Sequence, residues 1–153
     1  MSLKIVRGDL LDMAARGEFE VIAHGCNCFH AMGSGIAGQI RKRIPLAYQA
    51  DLGTVKGSEE KLGTCSFANV PLPRQREVRV FNAYTQYNPG PDFRMDAFVA
   101  AMAHIRKYTI PSDTIGLPRI GAGIGGGDWQ EIEDAIADIF HDRDVTVVSW
   151  RPA

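Results

Sequence analysis

"VIAHGCNCFHAMGSGIAGQI", residues 21–40, is the stretch that decides the fold. Residues 21–23 form a near-continuous apolar run, which is typical of a strand buried on both faces of a sheet. Glycines follow at positions 33 and 35, and then Ile36, Ala37, Ile40 and Ile44 recur at helical spacing up to Pro45, which is expected to end the helix. The stretch predicts a strand, a glycine-rich loop and a helix in direct succession.

The segment "TIGLPRIGAGIGGGDWQEIEDAIADIF", residues 114–140, has the same order of elements. A short apolar strand leads into a glycine-dense turn, and Asp128 and Glu131 then form the acidic pattern that begins a helix. Ile132, Ile136 and Phe140 fall on one face of that helix, as expected for a helix packed against a sheet. Two strand–loop–helix units therefore bracket the middle of the chain.

The remaining segments complete an alternating pattern of strands and helices. "LKIVRGDLLDMAA" predicts a strand, a turn and a short helix, while "GTCSFANV" and "EVRVFNAYTQY" predict a hairpin. A helix is predicted from Asp92 towards Tyr108, and "DVTVVSW" predicts a closing strand. Such alternation favours a three-layer α/β/α fold with a mixed, mostly parallel central sheet, and the length of 153 residues suits a single domain spanning 1–153.

Composition excludes several classes of protein. Hydrophobic residues make up 45% and charged residues 23% of the chain, with a net charge of -1, so neither disorder nor strong nucleic-acid binding is indicated. No apolar run is long enough to span a membrane. Three cysteines, Cys26, Cys28 and Cys65, together with the lack of an apolar leader, favour a reducing cytoplasmic location.

The glycine loops are the candidate ligand site. Amides exposed by glycine turns and helix N-termini bind anions without a charged side chain, and open sheets hold ligands beyond their strand ends. Two such loops are suited to a diphosphate. "GAGIGG" lacks the first-strand position and the downstream acidic residue of a dinucleotide-binding fingerprint, and the chain has no P-loop lysine with its Ser/Thr pair.

The cluster of His24, Cys26, Cys28 and His30 raises the alternative of a metal site. Structural zinc sites favour pairs two to four residues apart with a distant second pair, whereas these residues are separated by single-residue gaps. We therefore expect no metal, and we interpret the two cysteines as buried thiols rather than nucleophiles. His24 remains open between a satisfied core histidine and a group that contacts substrate.

Four segments together resemble a macrodomain, the ADP-ribose-binding module, over nearly the whole chain. "VRGDLL" resembles its adenine-site turn, "HGCNCFHAMGSGIAGQI" its asparagine-plus-glycine loop, "LPRIGAGIGGGDW" its phosphate loop and "VTVVSW" its closing strand. The motif H-x-C-N-C followed by a glycine loop is most similar to the branch of ADP-ribose 1″-phosphate phosphatases and ADP-ribosyl-glutamate hydrolases, which includes stand-alone phage and bacterial domains.

The resemblance implies roles for individual residues. Asp9, beside Leu10, would accept a hydrogen bond from the adenine amino group, and Asn27 would hold the distal ribose. Val148 stands where this branch often has a tyrosine, so Trp150 would contact the adenine instead. The diphosphate would lie between two sets of backbone amides, those of Gly33, Ser34, Gly35 and Ile36 and those of Gly121, Ala122, Gly123, Ile124 and Gly125.

Departures from the branch bear on catalysis. The segment "FNAYTQYN" has no lysine where the glutamate-ester hydrolases carry one, and Gly125 stands at their aspartate position. The catalytic candidates are then His24, Asn27 and Asp128, with Tyr84 nearby. His24 would act as general acid/base, and Asp128 would orient water unless it serves only as a helix N-cap with Glu131.

The resemblance as a whole predicts a monomer that binds ADP-ribose and hydrolyses a derivative at the distal ribose, above all ADP-ribose 1″-phosphate. The alternatives are a non-catalytic ADP-ribose-binding module and a hydrolase that removes ADP-ribose or acetyl groups from an ester linkage. No cofactor beyond the ADP-ribose moiety is expected. The expected partners are a small ADP-ribose derivative or an ADP-ribosylated macromolecule, with no membrane partner.

Overall fold

Six strands form one sheet in the order β1-β6-β5-β2-β4-β3. A computed structural model describes residues 3–150, so the first two and last three residues of the predicted domain lie outside the described residues. Strand β3 is antiparallel to β4, and every other neighbouring pair is parallel. The strands are β1 Leu3–Gly8, β2 Val21–Cys26, β3 Cys65–Leu72, β4 Arg76–Tyr84, β5 Thr114–Leu117 and β6 Asp144–Trp150.

Helices cover both faces of the sheet. The α-helices within residues 3–150 are α1 Leu10–Ala15, α2 Gly35–Arg43, α3 Pro45–Leu52, α4 Met95–Lys107 and α5 Trp129–Ile139, and a 3-10 helix spans Glu59–Lys61. Helices α4 and α5 pack on one face around Phe98, Met102 and Ile136, and α1, α2 and α3 pack on the other around Leu11 and Ile40. The predicted three-layer α/β/α architecture is confirmed, as is the hairpin of β3 and β4.

Helix α2 ends at Arg43, just before Pro45, as the sequence predicted, but a further helix that the sequence analysis did not predict follows it directly. Ile44 interrupts the backbone with φ −132° and ψ 67°, and Pro45 then begins the additional helix α3. Proline is favoured at the first position of a helix because its missing N–H has no intrahelical acceptor there. Helix α3 packs over β3 and β4 and covers the polar interior described below.

The parallel strands point their C-terminal ends to one side of the sheet. Strand β2 ends at Cys26, next to β5, which ends at Leu117, and both loops with glycines begin there. This is the edge at which open parallel sheets bind ligands. Among the helices described within residues 3–150, none combines the length and hydropathy needed to cross a membrane.

Candidate functional site

Two adjoining depressions form a cleft beyond the C-terminal ends of β2, β5 and β6. We call them the wide half, of about 760 Å³ and bounded by Asp9 and Trp150, and the narrow half, of about 460 Å³ and bounded by Asn27 and Gly125. The two halves share five wall residues, namely Gly35, Ile36, Pro118, Arg119 and Gly123. The shared walls make one elongated site from residues that are far apart in the sequence.

Asp9 lies in the wide half with its carboxylate held in place. Its Oδ1 accepts hydrogen bonds from the amides of Leu11 at 2.9 Å and Asp12 at 3.1 Å, which makes it the N-cap of α1. The guanidinium of Arg43 lies 3.3 Å from Oδ2 and also pairs with Asp12. Asp9 thus presents an acceptor of fixed orientation at one end of the cleft, beside Leu10.

Trp150 also lines the wide half. It is 69% exposed at the end of β6, whereas Val148, two positions earlier on the same strand, is buried in the wall. An exposed indole beside an apolar wall is suited to stacking on a planar ring. Trp150 therefore offers an exposed aromatic ring to the wide half.

The first glycine loop leads directly into α2. Ser34 is the N-cap of this helix, but its side chain makes no capping hydrogen bond, so the amides of the first turn keep their donor capacity. Gly35 has a φ of +58°, which few other residues adopt, and a Cβ at Gly33 would meet open space. The loop therefore exposes backbone donors to the cleft without side chains in the way.

The second glycine loop is a compact turn between β5 and α5. It is closed by hydrogen bonds from the amide of Gly127 to the carbonyl of Gly121 at 2.6 Å and from Gly126 to Gly123 at 3.1 Å. Gly121 has a φ of +76°, and a Cβ there would lie 2.4 Å from the ring of Phe93. Within residues 3–150 four amides of the loop 121–125 have no acceptor, those of Gly121, Gly123, Ile124 and Gly125. Ala122 lines the wide half, and its amide donates a hydrogen bond to the carbonyl of Arg119.

Asn27 lines the narrow half and shapes the loop that follows it. Its Oδ1 accepts hydrogen bonds from the amides of Phe29 at 2.9 Å and Ala31 at 3.3 Å, and its Nδ2 donates to the carbonyl of Ala31 at 2.8 Å. An amide nitrogen has two N–H donors, so one side-chain donor of Asn27 has no acceptor among residues 3–150.

His24 is a core residue, contrary to the expectation that it would act on substrate. Its side chain is 0% exposed and lines neither half of the cleft. The ring Nε2 lies 2.7 Å from Oδ1 of Asn82, and burial lowers the pKa of the imidazole. Side chains alternate along a strand, so His24 lies on the same face of β2 as Ile22, which packs in the layer of α1, α2 and α3, whereas the next residue, Gly25, lines the narrow half.

A buried ladder of polar groups continues from His24 beneath helix α3. Asn82 donates to the hydroxyl of Ser66 at 3.0 Å, and that hydroxyl lies 2.8 Å from the phenol of Tyr84. The phenol in turn donates to Oδ1 of Asp51 at 2.6 Å, and burial raises its pKa. Tyr84, another candidate near the distal ribose, is therefore also part of the core.

Asp128 is a helix cap and not a cleft residue. Its carboxylate accepts a hydrogen bond from the amide of Gln130 at 3.0 Å at the start of α5, which is the capping role that the sequence offered as the alternative. The side chain is exposed and lines neither half of the cleft. A water-orienting role for Asp128 is therefore not supported by its position.

The cysteines are buried thiols, as predicted. Cys26 forms part of the wall of the narrow half but is only 5% exposed, and burial raises the pKa of its thiol well above the ordinary value. Cys28 is fully buried. A thiol that stays protonated is a poor nucleophile. Over the described part of the chain, no group of three His, Cys, Asp or Glu side chains could hold a metal ion.

Several polar cleft residues were not predicted from the sequence, and Arg119 and Gln86 are two of them. Arg119 lines both halves, and its guanidinium lies over the ring of Trp129 at 4.9 Å from the centroid. Gln86 lines the narrow half, and its Nε2 donates to the carbonyls of Asn88 and Gly90 at 2.7 Å each. Gln86 belongs to the segment "FNAYTQYN", which has no lysine. The only sequence feature that pointed to Arg119 is its position just before the second glycine loop.

The chain matches the Macro domain family model over residues 23–136. The chain belongs to the macro domain family. The predicted resemblance to a macrodomain is confirmed. The matched region includes both glycine loops, most of β2, and all of β4 and β5. Asp9 and Trp150 lie outside the matched residues but on elements that adjoin them in the sheet or the cleft.

Similar proteins fall into two groups by length. This macro domain is 40% identical over 156 residues to an uncharacterized 17.5 kDa protein of the tk-vs intergenic region of Enterobacteria phage T4, covering 99% of each chain. It is 25% identical to an ADP-ribose 1″-phosphate phosphatase of Lodderomyces elongisporus, over 96% of this chain and 98% of that one. It is 28% identical to a DNA ADP-ribosyl glycohydrolase of Mycobacterium tuberculosis over 95% of this chain, but it spans only 41% of that protein's length.

Solved structures confirm the fold. The macrodomain of Thermus aquaticus DarG superimposes with a TM-score of 0.73 at 27% identity, with 98% of each chain covered. The six-stranded mixed sheet with helices on both faces is thus the macrodomain architecture.

Proposed function

We propose that the cleft binds ADP-ribose, with adenosine in the wide half, the distal ribose in the narrow half and the diphosphate at the junction. The observation that carries this proposal is the pair of glycine loops. Both line the narrow half, both reach the shared walls, and both have amides without a protein acceptor within residues 3–150. Backbone donors of this kind stabilise phosphate oxygens without a change in conformation.

The ends of the cleft suit the ends of that ligand. Asp9 offers an oriented acceptor to the amino group of adenine, and Trp150 offers an exposed ring for stacking. At the other end, the remaining N–H of Asn27 suits a ribose hydroxyl. Membership of the macro domain family, whose relatives are named for ADP-ribose derivatives, supports the same ligand.

We further propose that hydrolysis, where it occurs, acts on ADP-ribose 1″-phosphate. The specific support is the similarity to a relative named ADP-ribose 1″-phosphate phosphatase, which is 25% identical over 96% of this chain and 98% of its own length. The described residues of the narrow half include no His, Asp or Glu, so turnover would depend on amides and on Asn27. A phosphate leaving group needs less protonation than an amine, which favours this substrate over N-linked ones.

Two measurements on the purified protein test these proposals. Calorimetric titration with ADP-ribose, ADP and adenosine should give the tightest binding for ADP-ribose, and the absence of heat with ADP-ribose would refute the binding proposal. Incubation with ADP-ribose 1″-phosphate should release inorganic phosphate. Tight binding without release would leave a non-catalytic binding module, and release only from an ADP-ribosylated carboxylate would identify an ester hydrolase.

A further inference from the structure

Arg119 and Asp9 are the two charged side chains among the described residues that line the cleft. Asp9 lines the wide half alone, whereas Arg119 belongs to the walls that both halves share. The cleft therefore has a negative group in the wide half and a positive group at the junction of the two halves. A ligand that matches this arrangement has a hydrogen-bond donor at its end and an anion in its middle.

The guanidinium of Arg119 is available to a ligand. Other arginines have carboxylate partners, such as Arg43 with Asp9, Arg94 with Asp92 and Arg106 with Asp142. Arg119 makes no ion pair within residues 3–150. Its side chain is exposed, and its five N–H donors suit the oxygens of a phosphate group.

Trp129 holds this guanidinium near the junction. The indole is the first residue of α5 and packs against the main hydrophobic core, so the platform is anchored. The guanidinium lies 4.9 Å from its ring centroid, a cation–π contact that uses the face of the ring and consumes no N–H donor. An arginine restrained in this way loses less side-chain freedom when it pairs with a ligand.

We propose that Arg119, positioned by Trp129, is the cation that pairs with the diphosphate of the ligand and thereby selects nucleoside diphosphate compounds over uncharged nucleosides. This inference rests on the proposed function, because it assigns a residue to the junction of the ADP-ribose site. It also adds a charge to a site that backbone amides alone were expected to form. The amides orient the phosphate oxygens, and Arg119 supplies attraction that depends on ionic strength.

The test compares the wild type and four variants against three ligands by calorimetry at low and high salt. Arg119→Gln removes the charge, Arg119→Lys keeps it, and Trp129→Leu removes the platform. Arg74→Gln, on the turn between β3 and β4, makes the same charge change away from the cleft and serves as the control. The ligands are ADP-ribose, ADP and adenosine.

Arg119→Gln should lower the affinity for ADP-ribose and for ADP about ten-fold, and its affinity for adenosine should stay within about two-fold of the wild-type value. Arg119→Lys should retain the dependence of affinity on salt that Arg119→Gln loses, and Trp129→Leu should give a smaller loss with that dependence intact. Thermal melting of Arg119→Gln should equal that of the wild type, since the side chain is exposed.

Two results would overturn the proposal in distinguishable ways. If the wild type binds ADP-ribose and Arg119→Gln binds it equally well, or loses adenosine to the same extent, the assignment of Arg119 is wrong while the proposed function stands. If the wild type does not bind ADP-ribose at all, the proposed function fails and this inference fails with it.

Discussion

His24 Nε2 and Asn82 Oδ1 lie 2.7 Å apart, and neither side chain has exposed surface. The pair links β2 to β4 and begins the polar ladder that ends at Asp51. Buried hydrogen bonds of this kind stabilise a fold when all partners are satisfied and destabilise it when one is removed. His24 therefore contributes to the stability of the fold, and its buried hydrogen bond to Asn82 explains its position without a catalytic role.

His24→Ala should lower the free energy of unfolding by roughly 2–4 kcal/mol, because it creates a cavity and leaves Asn82 without its partner. Urea denaturation measures this change. His141→Ala, at an exposed position after α5, should have almost no effect and is the matched control. The folded fraction of His24→Ala should bind ADP-ribose normally; a stable variant with lost turnover would return His24 to the mechanism.

Stability should fall as the pH drops below about 6.5, the ordinary pKa of histidine. Burial lowers the pKa of His24 in the folded protein, so between that lowered pKa and about 6.5 the unfolded chain binds a proton that the folded chain does not. The stability contributed by neutral His24 is thus present above pH 6.5 and is lost on the way down to the folded pKa.

Denaturant midpoints between pH 7 and 5 test this dependence. The lowered pKa of His104 adds a similar but weaker effect because that ring is less buried, so His104→Gln is the control. His24→Gln should flatten the pH profile more than His104→Gln does. The same slope in both variants would contradict the assignment to His24.

Asp9→Asn should weaken ADP-ribose binding about ten-fold with little loss of stability. The asparagine Oδ1 can still accept the two amides of α1, and this fixes the rotamer so that an NH₂ group replaces the acceptor Oδ2. A donor would then meet the amino group of adenine. Asp12→Asn removes the charge of the second carboxylate that pairs with Arg43, and Asp12 does not line the wide half. This variant should bind ADP-ribose with wild-type affinity. Equal affinities in calorimetry would refute the adenine assignment.

Gly123→Ala and Gly33→Ala should abolish tight ADP-ribose binding without unfolding the protein. Neither glycine has a positive φ, and a Cβ at either position meets no protein atom within 4 Å, so the added methyl group occupies ligand space. Gly53→Ala, at the C-cap of α3 with φ −75°, is a tolerated control. Thermal melting and calorimetry should show unchanged stability and an affinity loss above about ten-fold for the cleft variants. Unchanged affinity would place the ligand elsewhere.

All three cysteines should resist alkylation by iodoacetamide at pH 8 in the native protein. Burial raises the pKa of Cys65 to about 12 and that of Cys26 well above its ordinary value, and only the thiolate reacts. Labelling followed by mass spectrometry should show rapid modification only after unfolding in urea. Fast native labelling of Cys26 would revive a covalent mechanism at the narrow half.

Much of the fold followed from local signals in the sequence. The strand–loop–helix units, the hairpin and the cap at Asp128 rest on contacts between residues close in the chain, which periodicity and capping rules describe well. Helix α3 was missed because Pro45 both ends one helix and begins another, and only the backbone angles at Ile44 separate the two cases.

The roles of single polar side chains depended on tertiary contacts and could not be predicted. Strand alternation places His24 and Cys26 on one face, but the packing of α3 decides that His24 has no access to the cleft. The role of Arg119 depends on its contact with Trp129 and on its position in the wall of the narrow half. No local sequence pattern predicts either of these.

The two glycine loops, at residues 33–36 and 121–125, become neighbours only because β2 and β5 pair in the sheet. A ligand held by both loops is therefore released by any opening that separates these strands, and its binding energy counts fully towards global stability. At a concentration one hundred times its Kd it should add about 2.7 kcal/mol. Amides deep in β2 and β5 should then exchange their hydrogens more slowly in the presence of ligand, although none of them touches it.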